Sequence, residues 1–197
     1  MLSIAVLVSG GGSNLQALID AVEAGRIDGK IVTFVSNKEG TFALERAKLH
    51  NIPSKVIEKS GNPDFENELI SHLKENKVDL VVLAGYLVIL GDSVINEFPN
   101  KIINVHPSLI PSFCGDGYYG LNVHKAAIDY GVKITGATVH FVNNIVDGGK
   151  IIMQKAVEVL DGDTPQSLQK RVMEEAEWTI LPDAVAKLCK ERDLLNG

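Results

Sequence analysis

The fold of this chain is decided near its start by the stretch Ile4-Ala5-Val6-Leu7-Val8-Ser9-Gly10-Gly11-Gly12-Ser13-Asn14-Leu15-Gln16. Its first five residues are all apolar and predict a short strand that is buried on both faces. The glycines end this strand, and the pattern over Ser13–Ala24 predicts a helix that stops at Gly25. The stretch is therefore typical of the first strand–loop–helix unit of an α/β protein.

The same alternation continues along the first half of the chain. Further buried strands, rich in Val and Ile, are predicted at Lys30–Val35, Asp79–Leu83 and Lys101–Val105. Helices are predicted between them at Phe42–His50 and Asp64–Glu75. This spacing favours right-handed β–α–β units, so we expect a doubly wound, mostly parallel sheet of the Rossmann-like kind.

The second half of the chain has a different pattern. Two longer strands, Lys133–Val142 and Lys150–Val159, flank a turn-rich segment and predict an antiparallel C-terminal part of the sheet. A last helix is predicted from Thr164, its cap, to about Glu191, with an interruption at Pro182. We expect residues 1–197 to form one domain.

Composition narrows the class of protein. The chain has 197 residues, 45% of them hydrophobic, which is enough for one full core. Its net charge of −6 disfavours nucleic acid as the main partner. We recognise no signal peptide and no apolar run as long as a membrane span, so we expect no membrane partner. The two cysteines, Cys114 and Cys189, are far apart, and we expect a cytoplasmic protein.

Asn104 and His106 stand where the predicted strand Lys101–Val105 ends, directly before Pro107. Side chains two residues apart on an extended backbone point to the same face, and ligands of α/β sheets bind at the carboxyl ends of strands. An amide donor beside an imidazole suits a reaction that develops negative charge on a carbonyl oxygen and moves a proton. The alternative is local: an Asn that caps a turn and a His bonded into the core.

The glycine loop and the helix after it are suited to bind an anion. Glycines allow close backbone approach, and the free N–H groups at a helix start favour negative charge. The loop is not a dinucleotide fingerprint, because Leu15 stands where a third glycine is required. A single phosphate is the preferred interpretation, and a plain turn capped by Ser13 is the alternative.

Asp147 lies in a loop bounded by glycines. If this loop lies beside the end of the Lys101–Val105 strand, Asp147 holds His106 and raises the pKa of its imidazole. His140 is interpreted as the polar side of a strand, or else as a second imidazole at the site. The remaining histidines are interpreted as surface groups without metal-ligand spacing, so we expect no metal: His50, His72 and His124.

Four segments together resemble a known family: Ser9–Gln16, Leu83–Tyr86, Asn104–Pro111 and Val146–Gly149. In order and spacing they are similar to the folate-dependent formyltransferases and, within them, to the phosphoribosylglycinamide formyltransferases of purine synthesis. The Asn-x-His-Pro-Ser segment is shared by the wider superfamily and indicates the chemistry. The Gly-Ser-Asn loop is narrower and indicates the acceptor.

The resemblance implies transfer of a formyl group from 10-formyltetrahydrofolate, a co-substrate, to the amine of N1-(5-phosphoribosyl)glycinamide. Residues at about 1–100 would bind phosphate, and those at about 101–197 would bind folate and catalyse. Asn104, protonated His106 and Asp147 would be catalytic. The acceptor would be bound by Gly11, Gly12, Ser13, Asn14, Glu174 and Glu177. The folate would be bound by Leu87, Val88, Ile89, Leu90, Asn104, Asn143, Asn144, Ile145, Val146 and Asp147.

The sequence departs from the family pattern at several positions. Val88 stands where many members have arginine, and Gly61–Glu68 lacks the basic residue that often lies near the folate glutamate tail. The stretch Phe113–Gly120 is longer than in many relatives, and Asn122 replaces a frequent histidine. Alternatives are a formyltetrahydrofolate hydrolase or a methionyl-tRNA formyltransferase, for whose extra domains we expect no room, and an inactive sugar-phosphate-binding module. We expect small-molecule substrates and a monomer or homodimer.

Overall fold

The computed structural model describes residues 1–195, in which seven strands form one sheet. The strands are β1 (Leu2–Val8), β2 (Gly29–Ser36), β3 (Ser54–Val56), β4 (Leu80–Leu83), β5 (Ile102–His106), β6 (Ile134–Phe141) and β7 (Ile151–Glu158). Their order across the sheet is β3-β2-β1-β4-β5-β6-β7. The first five strands are parallel, whereas β6 and β7 run antiparallel to their neighbours. The expected mostly parallel sheet with an antiparallel C-terminal part is confirmed.

Helices cover both faces of this sheet. They are α1 (Ser13–Glu23), α2 (Phe42–Leu49), α3 (Phe65–Glu75), α4 (Asp92–Glu97), α5 (Leu121–Tyr130), α6 (Pro165–Val172) and α7 (Trp178–Lys190). The sequence patterns predicted neither β3 nor α4, which are only three and six residues long, and gave no bounds for α5. No helix in the described part of the chain is long and apolar enough to cross a membrane.

The strand β1 lies at the centre of two hydrophobic clusters. Ile4 and Val6 belong to the cluster that α1 and α7 cover, whereas Ala5 and Leu7 belong to the one that α3 and α4 cover. Because successive side chains of a strand point to opposite faces, an uninterrupted apolar run is required where both faces are covered. The burial of β1 thus explains the pattern from which the sheet was predicted.

The break in the last helical region is not at Pro182. This proline lies inside α7, and the helix continues through it to Lys190. The regular helix is instead replaced by a π-helical turn at Met173–Glu177, between α6 and α7. The predicted interruption is therefore present at a different position, five to nine residues earlier.

Asp163 fixes the beginning of α6. Its carboxylate accepts hydrogen bonds from both terminal nitrogens of Arg171, at 2.6 and 2.7 Å. It also accepts from Ser167 Oγ and from the Leu160 N–H, each at 2.8 Å. Thr164 caps the helix as predicted. The Arg171 guanidinium holds the pKa of the Asp163 carboxyl well below its usual range.

We expect Asp163→Asn to lower the free energy of unfolding by about 1–3 kcal/mol, because the bidentate, charge-assisted pair with Arg171 is lost. Urea denaturation at neutral pH measures this difference. Since the pKa of Asp163 is lowered on folding, its contribution is complete above the ordinary pKa of about 3.9 and is lost as the pH falls below it. The difference in free energy of unfolding between the wild type and Asp163→Asn should therefore become smaller in acid.

Asp161→Asn is the matched control for this prediction. Asp161 lies two residues away, its side chain is 99% exposed, and its only ion pair within the described residues is with Lys133. Exposed pairs of this kind contribute about 0–1 kcal/mol. Equal destabilisation by both substitutions would contradict the role that we assign to Asp163.

Candidate active site

The carboxyl ends of the parallel strands open into a cavity of about 440 Å³, the functional cavity. Its walls are the glycine loop after β1, the segment after β4, the end of β5 and the loop between β5 and α5. The turn before β7 and the α6 region complete them. Ser9 joins two of these walls, because its Oγ accepts a hydrogen bond from the Leu87 N–H at 2.8 Å. The cavity lies where ligands of α/β sheets bind.

Asn104 is held at the end of β5 by a histidine that lies directly opposite on β6. The amide Nδ2 of Asn104 donates to Nε2 of His140 at 3.2 Å. The other ring nitrogen, Nδ1, donates to the Phe141 carbonyl at 2.8 Å. Both ring nitrogens of His140 therefore have hydrogen-bond partners. One amide hydrogen of Asn104 remains for a ligand.

The interpretation of His140 as the polar side of a strand is wrong. The residue is 2% exposed, and its Nε2 lies 3.6 Å from an oxygen of Asp147. The reason is the antiparallel register, which pairs His140 with Asn104 and directs both side chains to the same place. A sequence contains no direct signal for the register of two strands that are 36 residues apart.

His106 is buried at the inner wall of the cavity, with 4% of its surface exposed. Its Nε2 donates to the Phe113 carbonyl at 2.9 Å, and its Nδ1 lies 3.5 Å from Asp147 Oδ2. Burial lowers the pKa of His106, and this outweighs the raising effects of Asp147 and of the Phe113 carbonyl. The expectation of a raised pKa for His106 is therefore wrong.

Asp147 reaches the site from the turn between β6 and β7. Its Oδ2 accepts a hydrogen bond from the Gly115 N–H at 2.9 Å. Burial raises the pKa of Asp147, but the contacts with His140 and Gly115 have a larger, opposite effect. The net shift of this pKa is downward. The loop approaches β6 so closely that a Cβ on Gly149 would collide with the Phe141 carbonyl.

The N-cap residue of α1 is a glycine and not a serine. Gly12 occupies the cap position of α1 with φ of 72°, so the interpretation of Ser13 as the cap is wrong. A Cβ on Gly12 would lie 2.7 Å from the Cβ of Ala43, since α2 packs directly on the loop. Sequence analysis missed Arg46 of α2, whose Nε donates to the Gly11 carbonyl at 3.0 Å.

Asn14 and Glu177 form a buried pair beside the glycine loop. Nδ2 of Asn14 donates to Oε2 of Glu177 at 2.6 Å, and burial raises the pKa of Glu177. Glu174 does not line the cavity; it is exposed and lies 3.8 Å from Lys170. The residues of this region that face the cavity are four apart, namely Gln169, Met173 and Glu177, and sequence analysis missed the first two.

The residues expected to bind folate divide into two groups. Leu87, Val88, Ile89, Val146 and Asp147 line the cavity together with Asn104. The side chains of Leu87 and Ile89 are 63% and 62% exposed at its mouth. The remaining four lie outside its lining, namely Leu90, Asn143, Asn144 and Ile145.

His124 of α5 also lines the cavity, and the interpretation of this residue as a surface group is wrong. It is 1% exposed, whereas His50 and His72 are only partly buried. A helical position does not by itself show which side of the helix faces the cavity, and the sequence pattern did not reveal that His124 is on the buried side. Within residues 1–195, no three His, Cys, Asp or Glu side chains are arranged to hold a metal ion.

Comparisons with known proteins show the family to which the chain is similar. A family model described as formyl transferase matches residues 2–185. The phosphoribosylglycinamide formyltransferase of Haemophilus influenzae is 42% identical over 92% of this chain and 84% of that protein. The chloroplastic phosphoribosylglycinamide formyltransferase of Arabidopsis thaliana is 39% identical over 96% of this chain. This chain spans 66% of the length of the plant protein.

A solved structure extends the likeness to the fold. The crystal structure of glycinamide ribonucleotide transformylase 1 from Symbiobacterium toebii superposes with a TM-score of 0.91 and 39% sequence identity. The superposition covers 98% of this chain and 89% of that one. Because the family model covers most of the chain and a solved relative shares its fold, we conclude that this chain belongs to the formyl transferase family.

Proposed function

We propose that this chain transfers the formyl group of 10-formyltetrahydrofolate to the amine of phosphoribosylglycinamide. The observation that carries the proposal is the convergence of Asn104, His106 and Asp147 in a cavity that also contains the start of α1. Asn104, His106 and Asp147 supply the groups that formyl transfer needs. The beginning of α1 supplies N–H donors for a phosphate.

The acceptor is held at the α1 side of the cavity. Its phosphate accepts hydrogen bonds from the backbone of Gly11–Asn14, and Arg46 beside Gly11 adds a positive charge. The ribose lies against Glu177, whose carboxylate accepts hydrogen bonds from hydroxyl groups. Glu174 is assigned no contact, because it is exposed on the other side of this helical region.

The folate enters from the opposite side. Its pterin lies between the segment Leu87–Ile89 and the turn that contains Val146 and Asp147, where backbone donors and acceptors recognise its polar edge. Val88 in place of an arginine is compatible with such recognition, because the contacts come from the main chain. Leu90 and the residues at 143–145 support these walls from outside.

The reaction forms one bond and breaks another at the formyl carbon. The acceptor amine attacks this carbon, and the free amide hydrogen of Asn104 stabilises the oxyanion. His106 is neutral before the reaction and takes up the proton that the amine releases. Asp147, 3.5 Å from Nδ1, stabilises the imidazolium. The imidazolium then protonates the departing folate nitrogen as its bond to the formyl carbon breaks.

We also propose that the chain acts in the cytoplasm, since its two cysteines, Cys114 and Cys189, are free thiols. Every group assigned to the reaction is supplied by one chain, so a monomer or a homodimer would be active.

The co-substrate is a small molecule. Among residues 1–195, those that line the cavity include no Lys or Arg.

His106→Ala and Asp147→Asn should each lower kcat by about 10²–10⁴-fold, because a positioned proton carrier or its charge partner is lost. Absorbance of the folate product measures the rate. His72→Ala is the matched control, since His72 is a partly buried histidine of α3 outside the cavity. A His106 or Asp147 variant that kept more than about a tenth of the wild-type kcat would refute its catalytic role.

Gly11→Val should raise KM for phosphoribosylglycinamide about tenfold or more and leave KM for the folate within about twofold. The added side chain would cover the backbone donors of the loop. Gly11 suits this test because a Cβ there meets no atom within 4 Å, whereas Gly12 has a left-handed φ and touches Ala43. Equal changes in both KM values would argue against phosphate binding by the loop.

Cys114→Ser should leave kcat within about twofold of wild type, because direct transfer needs no covalent nucleophile. Burial and the charge of Asp147 raise the pKa of the Cys114 thiol, which therefore stays protonated at neutral pH. Its Sγ donates to the Pro111 carbonyl at 3.4 Å, a bond that serine can keep. Loss of most of the activity in steady-state assays would overturn the direct mechanism.

A further inference from the structure

His124 lines the functional cavity, and its two ring nitrogens have no hydrogen-bond partner within residues 1–195. The residue is 1% exposed. Buried polar side chains almost always have a partner, so an imidazole with two unpaired nitrogens needs an explanation. The mechanism proposed above does not use it.

The position of His124 points to the acceptor side of the cavity. Its helix, α5, packs against α6, and the region from α6 to the π-helical turn contributes Gln169, Met173 and Glu177 to the lining. His124 also lines the same cavity as His106. The residue therefore belongs to the cavity that contains both the expected ribose contact and the reacting centre.

The ring of His124 is suited to a neutral polar ligand. Burial, with a smaller contribution from His106, lowers the pKa of His124 to about 4, so the ring is uncharged at neutral pH. An uncharged imidazole has one N–H donor and one acceptor nitrogen. The glycinamide portion of the acceptor has an uncharged amide carbonyl that suits the N–H donor of a neutral ring, whereas phosphate is an anion.

We propose that His124 binds the glycinamide portion of the acceptor and directs its amine towards the formyl carbon. This inference rests on the function proposed above and adds a specificity-determining contact to it. One ring nitrogen donates to the amide carbonyl, and the other points away from the ligand. This bond fixes the rotation of the glycinamide and thereby the position of its amine.

Binding of phosphoribosylglycinamide alone, measured by isothermal titration calorimetry, tests the proposal. His124→Phe keeps the ring shape without hydrogen bonds and should weaken binding about 5- to 20-fold. His124→Gln retains a donor and an acceptor and should stay within about threefold of wild type. Binding of the folate should not change in either variant. His72→Phe is the matched control and should bind the acceptor as the wild type does.

The outcomes separate this inference from the proposed function. Wild-type protein that formylates the acceptor, with unchanged acceptor binding in His124→Phe, overturns the role of His124 alone. Equal weakening in the Gln and Phe variants also overturns it, because the effect would then follow loss of the imidazole shape. Wild-type protein that neither binds nor formylates the acceptor refutes the proposed function itself.

A second measurement uses the unsubstituted protein and does not depend on folding of a variant. In protein labelled with ¹⁵N at histidine, saturating phosphoribosylglycinamide should shift the ring nitrogen signals of His124. The loss of signals in His124→Gln assigns them. An absent shift at saturation, or an equal shift with the folate alone, contradicts the proposal.

Discussion

The site depends on the antiparallel pairing of β5 with β6. This pairing sets Asn104 opposite His140, and it brings the following turn, with Asp147, beside His106. A shift of the register by one residue would point His140 to the other face and leave the amide of Asn104 without its acceptor. The parallel strands determine where the cavity lies. The opposite direction of β6 determines which side chains meet in it.

Burial is the largest cause of the pKa shifts of the two histidines at this site. It lowers the pKa of both His106 and His124, and at His106 it outweighs the opposite effect of Asp147. Strained backbone accompanies this burial, since Phe113 and Asp147 adopt left-handed φ values of 50° and 55°. Such residues cost about 1–3 kcal/mol each and persist where their surroundings fix them. The carbonyl of Phe113 and the carboxylate of Asp147 are the two groups that contact His106.

Features of the fold and the site that depend on neighbouring residues could be predicted from the sequence. Features that depend on contacts between distant residues could not. The unit around β1 and the common face of Asn104 and His106 depend on neighbouring residues. The role of His140 depends on strand register, and that of His124 on which side of α5 faces the cavity. Glu174 was misplaced because a π-helical turn changes which positions share a face. Resemblance to a family supplied roles, but not the direction of the pKa shift of His106.

The bond between Asn14 and Glu177 joins residues 163 positions apart. It links the beginning of α1 to the π-helical turn before α7, and these two helices pack against each other. A ribosome makes the chain from its amino end, so the glycine loop leaves the exit tunnel long before its partner is translated. The bond between Asn14 and Glu177 can form only after Glu177 has also left the tunnel, which makes it a late contact in the folding of residues 1–195 on the ribosome.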